Sequence, residues 1–253
     1  MAPHNSTERF GNRVDDYVKY RPGYPAAVID YLQQRFGLPS GSAVADVGSG
    51  TGISAALLLE AGYEVTGVEP NGPMREKSVE LLGHFPGFRA VNGTAEHTGL
   101  ETGSMDAVVA GQAFHWFNAA QTRPEFKRIL KPQGIVVLIW NERLTDDAFS
   151  AAYDELIVRH ASDYKQVDHR NTDEEKISAF FHPAAFESAT FPNRQVFDFD
   201  GLKGRLGSSS YVPAPGEAGY DAMVEDLRVL FHRFQENGTV TVRYATKLYA
   251  GTL

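Results

Sequence analysis

The chain has 253 residues, 42% of them apolar and 22% charged, enough for one sizeable domain with a full hydrophobic core. A net charge of −8 argues against nucleic acid as the main partner, because binding a phosphate backbone needs a basic surface. Cysteine is absent, which excludes disulfides, thiolate metal sites and a cysteine nucleophile.

The first residues, Met1-Ala2-Pro3-His4-Asn5-Ser6, lack the apolar centre of a secretion signal. No apolar run is long enough to span a bilayer, so the expectation is a cytoplasmic protein. Residues 16–25, rich in tyrosine, precede the first regular element. Residues 25–36 read as a helix, with Pro25 near its start, Val28, Tyr31, Leu32 and Phe36 on one face, and Gly37 just past its end. Ala43 to Val47 is an apolar run of the buried parallel-strand type. A glycine-rich turn leads into a helix over 53–61, and residues 63–69 form the second strand. A helix around 74–82, strands at 88–91 and 105–110, and a helix over 124–130 follow. Lys131-Pro132-Gln133-Gly134 then turns into the most apolar strand, 135–140.

After Asn141 the alternation stops. Residues 148–160 look helical, 163–175 loop-like, 189–199 and 240–253 strand-like, with a helix near 220–235 between those last two. Strands alternating with helices imply right-handed crossovers and parallel pairing. The pattern predicts a doubly wound, Rossmann-like α/β fold: a seven-stranded, mostly parallel sheet with an antiparallel pair at one edge and a helical cap. Within this single domain, 1–24 form a lid segment, 25–142 the ligand-binding core, and 143–253 the cap and closing strands.

The most informative stretch is Val44-Ala45-Asp46-Val47-Gly48-Ser49-Gly50-Thr51-Gly52. Its glycines let the backbone turn sharply and approach a ligand closely, and it opens a helix whose free N–H groups favour an electron-rich group. Glu69 ends the next strand, where a carboxylate can accept both hydroxyls of a ribose. A diphosphate-binding loop would place another glycine where Ile53 stands, and Asp46 would repel a diphosphate. The same carboxylate can hold an ammonium group. S-adenosylmethionine carries an ammonium and a sulfonium and no phosphate, so it is favoured over a nicotinamide dinucleotide. Asp46 can also serve simply as an acceptor that braces the loop.

Residues 44–52 resemble the first motif of class I S-adenosylmethionine-dependent methyltransferases. Glu69-Pro70-Asn71-Gly72-Pro73-Met74 resembles their second motif, and Asn92-Gly93-Thr94-Ala95-Glu96 their loop after the third strand. Residues 104–109 resemble the fourth strand, and 130–134 the turn before the fifth, with Gln133 where the family usually has glycine. The nearest likeness is to small-molecule enzymes akin to quinone-biosynthesis and trans-aconitate methyltransferases. The resemblance implies cofactor contacts by Asp46, Gly48, Ser49, Gly50, Thr51 and Gly52. It further implies Glu69 on the ribose, Pro70 and Met74 beside the adenine, and Ala95 with Glu96 at the adenine edge. Met74 as plain core and Glu96 as a solvated loop acid are the alternatives.

In the resembling subgroup a segment such as 16–25 folds over the cofactor. Arg21 can then pair with the cofactor carboxylate, and Tyr17 or Tyr20 can face the sulfonium; equally, the tyrosines can simply pack on the domain. Gln112 follows the fourth strand and joins the cofactor set. Phe114, His115 and Trp116 stand at the crevice mouth as acceptor-lining candidates, with His115 the candidate general base. The competing expectation is Trp116 and Phe117 in the core and His115 as a loop residue. Arg205 is named only as a candidate for binding an anionic acceptor.

The expected activity is transfer of the sulfonium methyl to a small molecule by in-line displacement, without a metal. A nicotinamide-dependent oxidoreductase and a non-catalytic S-adenosylmethionine-binding module are the alternatives. The acceptor and the atom methylated are not readable from the sequence.

Overall fold

A computed structural model describes residues 18–161, 174–209 and 211–253. Its sheet runs β3-β2-β1-β4-β5-β7-β6. The strands are β1 Ala43–Val47, β2 Glu64–Val68, β3 Phe88–Val91, β4 Met105–Gly111, β5 Leu130–Arg143, β6 Phe186–Phe197 and β7 Val240–Gly251. β1 to β5 pair in parallel, and β7 pairs antiparallel with both β5 and β6. The seven-stranded, doubly wound sheet with its antiparallel edge is therefore the observed fold. From β1 the chain builds outward to β2 and β3, then returns to lay β4 on β1's other side. That reversal opens a crevice beyond the carboxyl ends of β1 and β4, where such sheets bind ligands.

Helices cover both faces because every central strand is apolar on both sides. On one face Val44, Val65, Val109, Val137 and Ile139 pack with α1 (Ala27–Phe36) and α2 (Ile53–Glu60). On the other, Ala45, Val47, Val108, Val136 and Leu138 pack with α4 (Ala119–Ile129) and α6 (Glu174–Phe181). A third cluster joins α5 (Ala148–His160), α7 (Phe199–Gly207) and α8 (Tyr220–Phe234) to the ends of β6 and β7. α3 (Gly72–Leu82) lies between β2 and β3 in the chain.

Besides α7, for which no helix was expected, four elements differ from the expectation. α4 starts at Ala119, ahead of the expected 124, because the Asn118 side chain caps it by accepting the Gln121 N–H, and Pro124 sits within the helix. The expected turn at 131–134 belongs to β5: the register shifts between Met105 and Ala107, and Gln133 takes the strained φ of 68° that lets the strand continue. β6 begins at Phe186 and ends at Phe197, since Asp198 caps α7 through the Gly201 N–H. Within the expected loop 163–175, Glu174 already starts α6, and residues 162–173 lie outside the described residues.

Candidate functional site

The loop between β1 and α2 turns through three left-handed glycines, Gly48 (φ 69°), Gly50 (φ 56°) and Gly52 (φ 91°). A Cβ on Gly52 would meet Leu82 Cδ1 of α3 at 2.4 Å, so that side chain would have to shift. Gly50 is different: the nearest atom to its imaginary Cβ is Met74 Sδ at 3.8 Å, which leaves its outer face open. The loop is anchored at its start, where the Gly48 N–H donates to the Val68 carbonyl over 2.9 Å.

Two carboxylates border this loop. Glu69 is 7% exposed; Oε2 accepts the Gly50 N–H at 2.9 Å and Oε1 accepts the Asn71 N–H at 2.8 Å. Burial raises its pKa, against the pull of those two N–H groups and Arg75. Each oxygen keeps a further lone pair. Asp46, at the end of β1, is fully buried, and its Oδ2 accepts the Ser54 hydroxyl at 2.7 Å. Its Oδ1 makes no hydrogen bond of normal geometry. Burial pushes the Asp46 pKa up to about 7, the Ser54 hydroxyl and Ala55 N–H hold it back, and Glu69 adds to the rise.

Three more buried polar atoms, Ser49 Oγ and Thr51 Oγ1 in the loop and Gln112 Oε1 just past β4, have no hydrogen-bond partner among the described residues. Buried polar groups are nearly always satisfied, so such a cluster calls for a polar occupant. Gln112 sits one residue past β4 at φ 56°; its N–H donates to the Ile139 carbonyl (2.8 Å) and its Nε2 to the Asn141 carbonyl (3.3 Å). A left-handed glutamine is strained, and such strain collects at binding sites.

Around this centre the remaining candidates fall as follows. Met74 is buried and Pro70 is exposed. Ala95 is buried in the core, and Glu96 Oε1 accepts the Asn118 N–H at 2.9 Å, at the start of α4. Arg21 lines a cavity of about 380 Å³ with Tyr24, Thr51 and Gly52, and its Nη2 donates to the Ser208 carbonyl at 3.0 Å. Tyr17 lies outside the described residues. Tyr20 packs its ring against Gly204 of α7. At the crevice mouth the turn Phe114–Trp116 splits by exposure. Phe114 is buried against Phe117, Trp140 and Phe180, while His115 and Trp116 are exposed, their rings 4.9 Å apart. The core residues of that turn are thus Phe114 and Phe117, and Trp116 is not one of them.

Sequence reasoning missed one constellation. Asn141, buried near the end of β5, donates to the Gly23 carbonyl (3.0 Å) and accepts from Thr246 Oγ1 (2.6 Å) and Asn193 Nδ2 (3.1 Å). Asn193 also donates to the Gly23 carbonyl at 2.8 Å, and Gln195 Nε2 donates to the Tyr20 carbonyl at 3.2 Å. A polar residue closing the most apolar strand was the available signal. Among the described residues no group of three or more His, Asp and Glu is arranged to hold a metal ion, and no helix is long and apolar enough to cross a membrane.

Comparison with known proteins fits this geometry. Residues 45–138 match the methyltransferase domain family. An uncharacterized methyltransferase of Mycobacterium bovis is 39% identical over 135 residues, covering 53% of this chain and 52% of its own. One of Schizosaccharomyces pombe is 32% identical over 135 residues, covering 53% of each chain. The chain thus matches about half the length of these curated relatives. A solved structure from Anaeromyxobacter dehalogenans, provisionally called a type II methyltransferase, superposes with a TM-score of 0.66 at 22% identity, covering 92% of this chain and 97% of its own. The phosphoethanolamine N-methyltransferase 2 of Haemonchus contortus, solved with phosphomonomethylethanolamine and S-adenosylhomocysteine, gives a TM-score of 0.54 at 16% identity, covering 95% of this chain and 56% of its own. At these identities the two structures establish the fold. Residues 45–138 are thus similar to methyltransferase domains, and nothing in these likenesses singles out the quinone-biosynthesis or trans-aconitate subgroup.

Proposed function

We propose that the chain binds S-adenosylmethionine at the carboxyl ends of β1 and β4 and transfers its methyl group to a small-molecule acceptor. One observation carries this reading: the glycine loop and the end of β4 hold buried polar atoms with no partner among the described residues, beside two buried carboxylates. The acids repel a diphosphate and suit a ligand with an ammonium and ribose hydroxyls. When bound, the cofactor supplies an activated methyl and its own neutral leaving group.

The chain's residues bind, orient and exclude water. Glu69 accepts the ribose hydroxyls, and its bonds to Gly50 and Asn71 fix the direction of its free lone pairs. Met74 and Pro70 take the adenine face, and Ala95 with Glu96 its edge. Asp46 and Gln112 hold the ammonium end, Arg21 the carboxylate, and Ser49 and Thr51 offer the loop hydroxyls. Tyr17, outside the described residues, keeps its sequence-based assignment to the sulfonium. His115 and Trp116, exposed at the mouth, meet the acceptor, with Phe114 behind them as their support; His115 accepts a proton where the acceptor must lose one. No metal is needed, and we place the protein in the cytoplasm, with neither nucleic acid nor a membrane as partner. Alignment of donor and acceptor contributes about 7–11 kcal/mol at best.

Calorimetric titration with S-adenosylhomocysteine tests this: saturable binding is expected, and none at millimolar ligand refutes it. Glu69→Ala is expected to weaken binding by about 1.5–3 kcal/mol, the scale for hydrogen bonds to a charged group. Unchanged affinity would remove Glu69 from the ribose.

A further inference from the structure

Arg205 is a buried cation that no carboxylate among the described residues meets. It stands in α7 with 6% of its surface exposed. Its Nε donates to the Tyr244 hydroxyl at 3.1 Å and its Nη1 to Ser209 Oγ at 3.4 Å, both neutral acceptors. No carboxylate among the described residues pairs with Arg205. The Tyr244 ring adds a weak cation–π contact at 6.0 Å. Burying a guanidinium is costly unless an anion meets it, and Arg is the side chain best shaped to grip an oxyanion. Other buried arginines are handled differently: Arg143, at the end of β5, is ion-paired with Asp154.

The position of Arg205 ties it to Arg21. Arg21 lines the cavity beside Thr51 and Gly52, and its guanidinium reaches the Ser208 carbonyl, three residues from Arg205. Ser208 Oγ in turn donates to the Arg205 carbonyl at 2.8 Å. Tyr244, which Arg205 touches, pairs in register with Arg143 where β5 leaves the sheet. The Tyr211 hydroxyl reports the local field. Burial alone would raise its pKa, yet Arg205, Arg21 and Arg143 outweigh burial and lower it.

We propose that Arg205 forms an oxyanion-recognition site under the α5–α7–α8 cluster, and that the methyl acceptor carries a carboxylate or phosphate held there. This rests on the methyltransferase reading given above, in which the cofactor fills the glycine-loop side of the crevice and the acceptor the cap side.

The test is calorimetry on the full chain saturated with S-adenosylhomocysteine, titrated with succinate, inorganic phosphate and the neutral succinamide. Binding of succinate or phosphate, with none of succinamide, is expected; whichever anion binds assigns the group. Arg205→Gln should weaken that anion by about tenfold or more while leaving S-adenosylhomocysteine affinity within about twofold. If Arg205→Gln does not fold, Arg205→Lys is read instead; it keeps the charge but loses the fork, and a several-fold loss of anion affinity is expected. Unchanged anion affinity in the folded variant, or no anion binding by the wild type at millimolar probe, overturns the proposal. Failure of S-adenosylhomocysteine itself to bind overturns the cofactor reading instead, so the two failures are separable.

Discussion

Asp46 shows how one side chain can cost stability and serve binding. Its pKa rises from 3.8 to about 7 because burial disfavours the charged form. Between those values the folded state binds the proton and the unfolded state releases it. Stability therefore falls as pH rises through this window, and the loss is complete above it, amounting to a few kcal/mol in order of magnitude. Glu69 is shifted in the same direction and adds to the trend. The acids shifted downward, such as Glu125 with a pKa of about 2 beside Arg128, lose their contribution only at lower pH. The ligand-free protein should thus melt higher at about pH 5 than at about pH 8, and Asp46→Asn should raise the melting temperature at the higher pH. The same variant should weaken S-adenosylhomocysteine by about 1.5–3 kcal/mol, because its amide no longer attracts an ammonium. A gain in stability with affinity unchanged would leave Asp46 as a loop brace alone.

The glycine loop, as an element, divides its labour between two residues of the same type. Gly52 is constrained twice, by its left-handed φ of 91° and by Leu82 Cδ1, which a Cβ would meet at 2.4 Å and displace. Gly52→Ala should cost about 1–3 kcal/mol in denaturant unfolding. Gly50 faces open space, so Gly50→Ala should cost only about 1 kcal/mol from its left-handed backbone, yet abolish most cofactor binding. Equal stability losses for the two, with binding intact in Gly50→Ala, would place the ligand elsewhere. Elements of this half were legible in the sequence because each buried strand is a short apolar run bounded by turn residues. α7 was not legible: Gly201, Gly204 and Gly207 lower its helix propensity, and Gly204 is there because the Tyr20 ring would lie 2.2 Å from its Cβ. Nor was the start of α4, where Pro124 mimics a first-turn proline and the actual cap is Asn118. Glu69 and Asp46 could be placed from strand ends alone. The bonds of Asn141 to Thr246, Asn193 and Gly23 could not, because antiparallel register brings together residues far apart in the chain.

At the scale of the whole molecule, those bonds decide whether the segment before α1 stays on the crevice. The Gly23 carbonyl accepts from Asn141 and Asn193, the Tyr20 carbonyl accepts from Gln195, and Tyr244 Oη donates to Gln195 Oε1 at 2.9 Å. β5 and β6 therefore grip residues 20–23, β7 braces the gripping side chains through Tyr244 and Thr246, and Arg21 lines the cavity beside Thr51 and Gly52. Asn141→Ala removes the shared centre and leaves the Thr246 hydroxyl, buried at 0% exposure, without its acceptor. The global cost should be about 1–3 kcal/mol, the price of one unsatisfied buried group. The local effect should be larger. Amide exchange at residues 18–24 should accelerate well beyond that of β1 and β4, because a segment held by few bonds opens on its own. S-adenosylhomocysteine affinity should fall with it, since ligand binding must then re-order the segment. Asn193→Ala, which leaves the Asn141 bond to Gly23 in place, should show a weaker version of both effects. If exchange at 18–24 is unchanged in Asn141→Ala while the sheet as a whole loses protection, Asn141 only holds the strands together and does not position the lid.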